Sequence, residues 1–280
     1  MIKNRGQGSG VRGQKWKKIL FFLLLFTVHC SLFTVVTSCS DDPATHAYQK
    51  ADELLSKGQY AKAIKAYKNI AEKYQESILG PQAQYKIGQI YHLYMNNDIE
   101  AIKSYKTLIL MYPGSPEITP ARKDMAEIYL RQGNYQKAIS EYQWLVKNSQ
   151  GREREQFHYE IAMCYLKMSD ATQARIELQE LLKSEPSYDI VKKILYQIAS
   201  TFYIEGKFNN AINIYNEIII NYPEDELAIE AKFGKAVNLE ELNNLKDALM
   251  VYKDILDKYP NKEVIKDRIR GIEARLKQAR

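Results

Sequence analysis

The chain has little of what chemistry needs. Its three cysteines, Cys30, Cys39 and Cys164, are too few and too scattered for a disulfide framework or a metal cluster. Beyond residue 38 the only histidines are His46, His92 and His158, and their spacing fits neither a metal site nor a catalytic triad. The one glycine-rich run, Gly6-Gln7-Gly8-Ser9-Gly10, follows no strand-like segment and so is no phosphate-binding loop. No segment alternates apolar and polar residues with period two, which excludes a sheet of any size. The expectation is a chain with no catalytic residues, no cofactor, no metal and no small-molecule substrate.

Excess charge is also missing from most of the chain. The formal net charge is +6 and the pI about 8.9. All of that surplus is Lys3, Arg5, Arg12, Lys15, Lys17 and Lys18, with no acid before residue 39. The remaining residues hold 34 basic and 34 acidic side chains. A formally neutral remainder makes no electrostatic case for nucleic acid.

What is present first is a leader. Residues 1–18 are basic and polar, and Ile19 to Ser38 is almost continuously apolar, the layout of a secretory signal. It ends in Val36-Thr37-Ser38-Cys39, which resembles the lipobox of bacterial lipoproteins. That resemblance implies a signal peptide over 1–38, a diacylglycerol on Cys39 and a short tether over 39–44. Two acyl chains would anchor the protein stably. Twenty apolar residues also suffice to span a bilayer, so an uncleaved signal anchor is the alternative. Ser40 rather than aspartate follows the cysteine, which by resemblance to the sorting rule of enteric lipoproteins favours the outer membrane, facing the periplasm, over the inner membrane. Cys164 lies in an apolar helical pattern and reads as a small core residue.

The rest of the chain repeats. Ala63, Ala101, Ala138, Ala174, Ala211 and Ala248 recur at spacings of 38, 37, 36, 37 and 37. Ala51, Gly88, Ala126, Ala162, Ala199 and Ala236 form a second column, and Tyr67, Tyr105, Tyr142, Leu178, Tyr215 and Tyr252 a third. Each period holds two apolar stripes at helical spacing, separated by a turn such as Gly133-Asn134. Pro113, Pro186, Pro223 and Pro260 stop the second helix of their repeats. Small residues where two helices cross let the backbones approach. One hairpin cannot bury both stripes, so neighbours must stack into a solenoid.

These columns resemble the tetratricopeptide repeat. Repeat five carries its pattern as Ala199, Phe202, Gly206, Phe208, Ala211, Tyr215 and Pro223. The resemblance implies an all-α superhelical solenoid, with about six repeats over 45–261 and a C-terminal capping helix over 262–280. Repeat two has one extra residue, assigned to its Met95-Asn96-Asn97-Asp98 turn. The long period implies longer loops between repeats.

In this family the residue three before the small column of the first helix points to the concave face. Here that column reads Tyr48, Tyr85, Lys123, Tyr159, Tyr196 and Phe233. Met163 and Leu166 extend the face in repeat four, and Ser200 and Tyr203 in repeat five; repeat three offers Lys123 and Glu127. Amphipathic aromatics suit protein or peptide surfaces, although the same side chains could pack between helices. The lipobox and repeats together are similar to the lipoprotein of the outer-membrane β-barrel assembly machine, to repeat-bearing Tol–Pal partners and to pilotins. The implied function is a membrane-tethered scaffold holding other envelope proteins. A peptide-binding adaptor and an accessory regulator of cell-wall synthesis are the alternatives.

Overall fold

The computed structural model describes residues 42–278, so the predicted leader over 1–38 and the proposed acyl site at Cys39 lie outside the described residues. The described residues form thirteen α-helices and no strand. In chain order they are α1 (Pro43–Ser56), α2 (Tyr60–Lys73), α3 (Leu79–Gln89), α4 (Asp98–Met111), α5 (Ile118–Arg131), α6 (Tyr135–Asn148) and α7 (Gly151–Lys167). There follow α8 (Ala171–Lys183), α9 (Tyr188–Ile204), α10 (Phe208–Asn221), α11 (Glu226–Glu241), α12 (Leu245–Ile255) and α13 (Lys262–Gln278). Odd-numbered helices up to α11 are the first (A) helices of six hairpins, and even-numbered ones the second (B) helices.

The described chain divides into two compact units within α2, one ending at Ala66 and one starting at Tyr67. In the first unit, α1 opens at Pro43, with the Asp42 side chain accepting from Ala44 N. Proline at the first helical positions has its φ already set and no N–H to lose. Helix therefore begins inside the segment read as a tether over 39–44. Ala51 and Ala63 are both fully buried there.

In the second unit each helix packs on its neighbours in sequence, and A helices of adjacent repeats also touch, α7 with α9 and α9 with α11. The alanines at the helix crossings, from Ala101 and Ala126 to Ala236 and Ala248, have no exposed surface. The aromatic column of the B helices is buried as well. Each such apolar side chain contributes roughly 1.5–3 kcal/mol on leaving water.

Every A–B turn is closed by one residue in the left-handed region: Gly58, Asn96, Gly133, Ser169, Gly206 and Asn243. The following amide bonds back into the A helix, as Asn134 N does to Tyr129 O at 2.8 Å and Lys207 N to Phe202 O at 2.8 Å. This is the hydrogen bond that ends a helix in a tight reversal. Repeat two differs: Asn97 N bonds Tyr91 O, one residue further back, and Met95 N bonds Ile90 O. Its extra residue is thus absorbed in a π-turn over Ile90–Tyr94, not in the Met95–Asp98 turn where the sequence reading put it. A π-turn takes up one inserted residue without breaking the helix.

The expectation of longer loops is corrected for the connections into α7, α9 and α11, whereas residues 74–78 and 112–117 make longer connections into α3 and α5. Only residues 149–150, 184–187 and 222–225 connect into α7, α9 and α11, whereas α7 and α9 each run to 17 residues. Much of the long period extends A helices, because apolar residues such as Ile190 and Ile194 continue the buried stripe towards the N-terminus. The last helix, α13, buries Ile265 and Ile272 against the cluster of Ala248, Tyr252 and Ile255.

Candidate protein-binding face

In repeats two, five and six the residue three before the small column lies beside the B-helix aromatic of its own hairpin. The Tyr85 and Tyr105 ring centres are 5.7 Å apart, those of Tyr196 and Tyr215 5.6 Å, and those of Phe233 and Tyr252 5.9 Å. Tyr159 packs in the cluster of Leu178, Leu181 and Ile194. Repeat three has Lys123 in this column, and there Tyr142 stacks on Phe157 of the next repeat instead, at 6.1 Å. Lys123 is exposed. Tyr48, in the first compact unit, is half-buried.

The column is therefore in large part packing. Tyr85 donates to Asp124 Oδ2 at 3.0 Å, and Tyr105 donates to the same oxygen at 2.8 Å. Burial and the neighbouring carboxylate hold both phenols well above their ordinary pKa. Phe233 is covered by Tyr259, whose ring stacks at 4.9 Å and whose hydroxyl donates to Glu230 at 3.2 Å. That leaves a half-buried strip in repeats four and five, formed by Tyr159, Met163, Leu166 and Tyr196. Tyr203 beside it is 38% exposed, its ring 5.9 Å from Phe208. Such a strip offers aromatic and thioether surface with phenol tips, and it can bind by burial and hydrogen bonding.

A neighbouring column escaped the sequence reading. The residue two before the small column faces the aromatic of the preceding repeat. Asp124 takes the Tyr105 hydroxyl, Gln197 lies beside the hydroxyl of Tyr159, and Glu160 adds to the burial that raises Tyr142. Gly234 makes room for Tyr215, since a Cβ there would stand 2.5 Å from the ring. The signal was available, because these residues recur with the same period. Their chemistry varies from carboxylate to glycine, and so no pattern of residue type marks them.

Ion pairs tie consecutive elements together. Arg122 bonds Glu141 at 2.6 Å and lies 4.5 Å over the Trp144 ring. Arg175 bonds Glu205 at 2.7 Å and lies 4.7 Å over Phe202. Arg175, helped by Lys207 and Thr172, holds the Glu205 carboxyl down at about 2. His92 Nδ1 and Arg131 both meet Asp98, at 2.9 and 2.8 Å. These groups are engaged with one another. Cys164 is fully buried, which pushes its thiol up to about 11, far from a reactive thiolate. Among the described residues no group of three or more histidine, cysteine, aspartate or glutamate side chains could hold a metal ion.

The profile of the family described as soluble NSF attachment protein, SNAP, matches residues 35–196. The profile described as tetratricopeptide repeat matches residues 194–225 and 230–262. DnaJ homolog subfamily C member 3 of Gallus gallus is 25% identical over 246 residues, covering 80% of this chain. The chain spans about half of that relative, 48% of its length. A tetratricopeptide repeat protein from Parabacteroides merdae has a similar crystal structure, with a TM-score of 0.54 and 16% identity over 82% of this chain and 87% of that one. YrrB, described as a tetratricopeptide-repeat protein with an unusual peptide-binding site, has a TM-score of 0.52 and 13% identity over 72% and 96%. The two structures establish likeness of fold.

Proposed function

We propose, from the premise that this chain belongs to the soluble NSF attachment protein family and closes in tetratricopeptide repeats, a scaffold held at a membrane by its N-terminus. The coarse function, a repeat-built protein–protein interaction scaffold, goes with the family and the fold. The finer reading is a lipoprotein of the bacterial envelope. It is acylated at Cys39, sits at the outer membrane facing the periplasm, and uses the strip of repeats four and five to hold another envelope protein. The observation that carries it is the union of two features in one chain. A lipobox-like Val36-Thr37-Ser38-Cys39 stands immediately before an array whose A helices leave Met163, Leu166, Tyr196 and Tyr203 only partly covered. Capture of extended peptides on the same strip is the second reading, supported by its phenol-bearing aromatic surface.

The test is purification of the full chain from detergent-solubilised membranes, wild type beside Tyr203→Ala with Lys123→Ala. Both side chains are exposed, so the fold should survive, whereas Tyr159→Ala or Tyr196→Ala would also unpack a hairpin. The expected outcome is an envelope protein that co-purifies with wild type and falls several-fold with the double variant, at unchanged melting temperature. Equal recovery from both, and from Leu166→Ala, whose half-buried side chain lies in the strip itself, would remove the strip as the binding face. In parallel, Cys39→Ser should release the chain from membranes and end lipid labelling. A variant that stays membrane-bound and unprocessed would mean a signal anchor.

A further inference from the structure

The half-covered positions of the A helices fall into rows that cross those helices. Glu127, Met163, Ser200 and Val237 occupy one register position on α5, α7, α9 and α11, the residue after each small one. One turn further on, the same helices present Leu130, Leu166, Tyr203 and Glu240. None of the eight is buried, two are carboxylates and none is a cation. Helix α9 touches both α7 and α11, and helices in contact lie about 8–10 Å apart. A ligand lying along a row therefore repeats its contacts at about that interval.

The interval discriminates between ligand backbones. A β-strand turns successive side chains to opposite faces, so the third residue along points away. An α-helix keeps its carbonyls in internal hydrogen bonds and offers a phenol beside it no acceptor. A polyproline II helix rises about 3.1 Å per residue with three residues per turn. Every third side chain returns to the same face after about 9 Å, and the backbone carbonyls stay free. It thus sets one side chain over each A helix. Tyr203 is 38% exposed, and its hydroxyl holds no hydrogen bond among the described residues, so it can donate to such a carbonyl. Aromatic-lined grooves are also where proline-rich segments dock. Charge distinguishes the two ends of the rows. Glu127 is exposed and joins no ion pair among the described residues, not even with Lys123 one turn back on α5. Glu240 at the other end is engaged, accepting from Tyr252 at 2.6 Å and facing Arg268 at 3.6 Å.

We infer that these rows bind a proline-rich segment of a partner protein in the polyproline II conformation, with a proline or aliphatic side chain over each of α7, α9 and α11 and a basic residue at Glu127. This rests on the reading of the strip as a binding face and names what that face takes.

The experiment follows the fluorescence anisotropy of labelled peptides titrated with the full chain in detergent. The probe is a peptide of repeated Leu-Pro-Pro triplets with arginine at both ends. One companion carries alanine for every proline, and another glutamine for both arginines. The proline peptide should bind several-fold more tightly than the alanine one and lose several-fold in Tyr203→Ala. Glu127→Gln should abolish the preference for arginine over glutamine ends. Both side chains are exposed, so both variants should keep the wild-type melting temperature. An alanine peptide that binds as well as the proline one overturns the inference; if Tyr203→Ala still weakens it, the strip remains a binding face. Binding of the proline peptide that neither Tyr203→Ala nor Leu166→Ala alters overturns both. An arginine preference that survives Glu127→Gln overturns the place given to the basic residue. Absence of binding by every peptide overturns the inference and leaves the strip to the co-purification above.

Discussion

Gly88 looks interchangeable with the alanines of its column, yet its surroundings differ. A Cβ on Gly88 would stand 2.3 Å from Tyr105 Cε1. Tyr105 cannot retreat, because it is fully buried and its hydroxyl is held by Asp124 at 2.8 Å. Helix propensity alone favours alanine over glycine by about 1 kcal/mol. Overpacking a core costs about 1–3 kcal/mol, and the crowding here exceeds the propensity gain. Gly88→Ala should therefore lower the urea midpoint of the full chain. A midpoint equal to or above wild type would show that the ring can move aside. The same logic explains why the predicted binding column was only partly a surface. Tyrosine at 85 or 196 is read from the sequence as an amphipathic side chain on a face, but its ring is committed to the B-helix tyrosine opposite. Lys123 remains exposed, and so does Tyr203, although its ring lies 5.9 Å from that of Phe208.

At the level of the helix, the repeat array shows which irregularities are absorbed and which are not. Ala101 stands thirteen positions after Gly88, where every other repeat has a step of twelve from one small column to the other. The π-turn uses that extra residue and leaves both small residues in register. Deleting Leu93 should restore the ordinary spacing and turn geometry, leaving the melting temperature unchanged or raised. Deleting Leu130 at the matching place in repeat three has no surplus to remove. It would rotate α5 against α6 by about 100°, given 3.6 residues per turn, and carry Met125 and Tyr129 out of the core. Thermal melts of the two deletions decide the matter, and a Leu93 deletion as damaging as that of Leu130 would contradict the role given to the π-turn.

Across the whole array, stability is a sum of hairpins and the contacts between neighbours. Helix α13 shows this at the C-terminal end. Its buried Ile265, half-buried Ile269 and buried Ile272 match the A-helix stripe formed in α7 by Phe157, Ile161 and Cys164. In that register α13 is an A-type helix. Arg270 stands where the other A helices have their small residue, and it is exposed. A guanidinium there is bulkier than the small residue that lets two helix backbones approach at the other crossings. Ile272→Ala should cost about 2–5 kcal/mol, felt locally. Hydrogen exchange should accelerate in α11 and α12 and stay at wild-type rates in α5 and α6. Uniform acceleration across the array would mean that the second compact unit unfolds all at once.

Periodicity is a property of the chain itself. Small residues every 37 positions, with an aromatic four later and a turn between, are enough to specify paired helices and their stacking, because each requirement is local or between nearest neighbours. The proposed leader and acyl site at Cys39 likewise rest on the order of residues alone. Side-chain commitment is different. Whether a tyrosine three residues before the small column faces a partner or its own hairpin depends on the residue opposite it, a full helix away. That is how Phe233 came to be covered by Tyr259 and Tyr85 tied to Asp124. The place where an inserted residue goes was equally a tertiary decision. Spacing shows the surplus in repeat two, but only the packing of Gly88 on Tyr105 and the burial of Ala101 forced it into a π-turn and turned Leu93 and its neighbours outward.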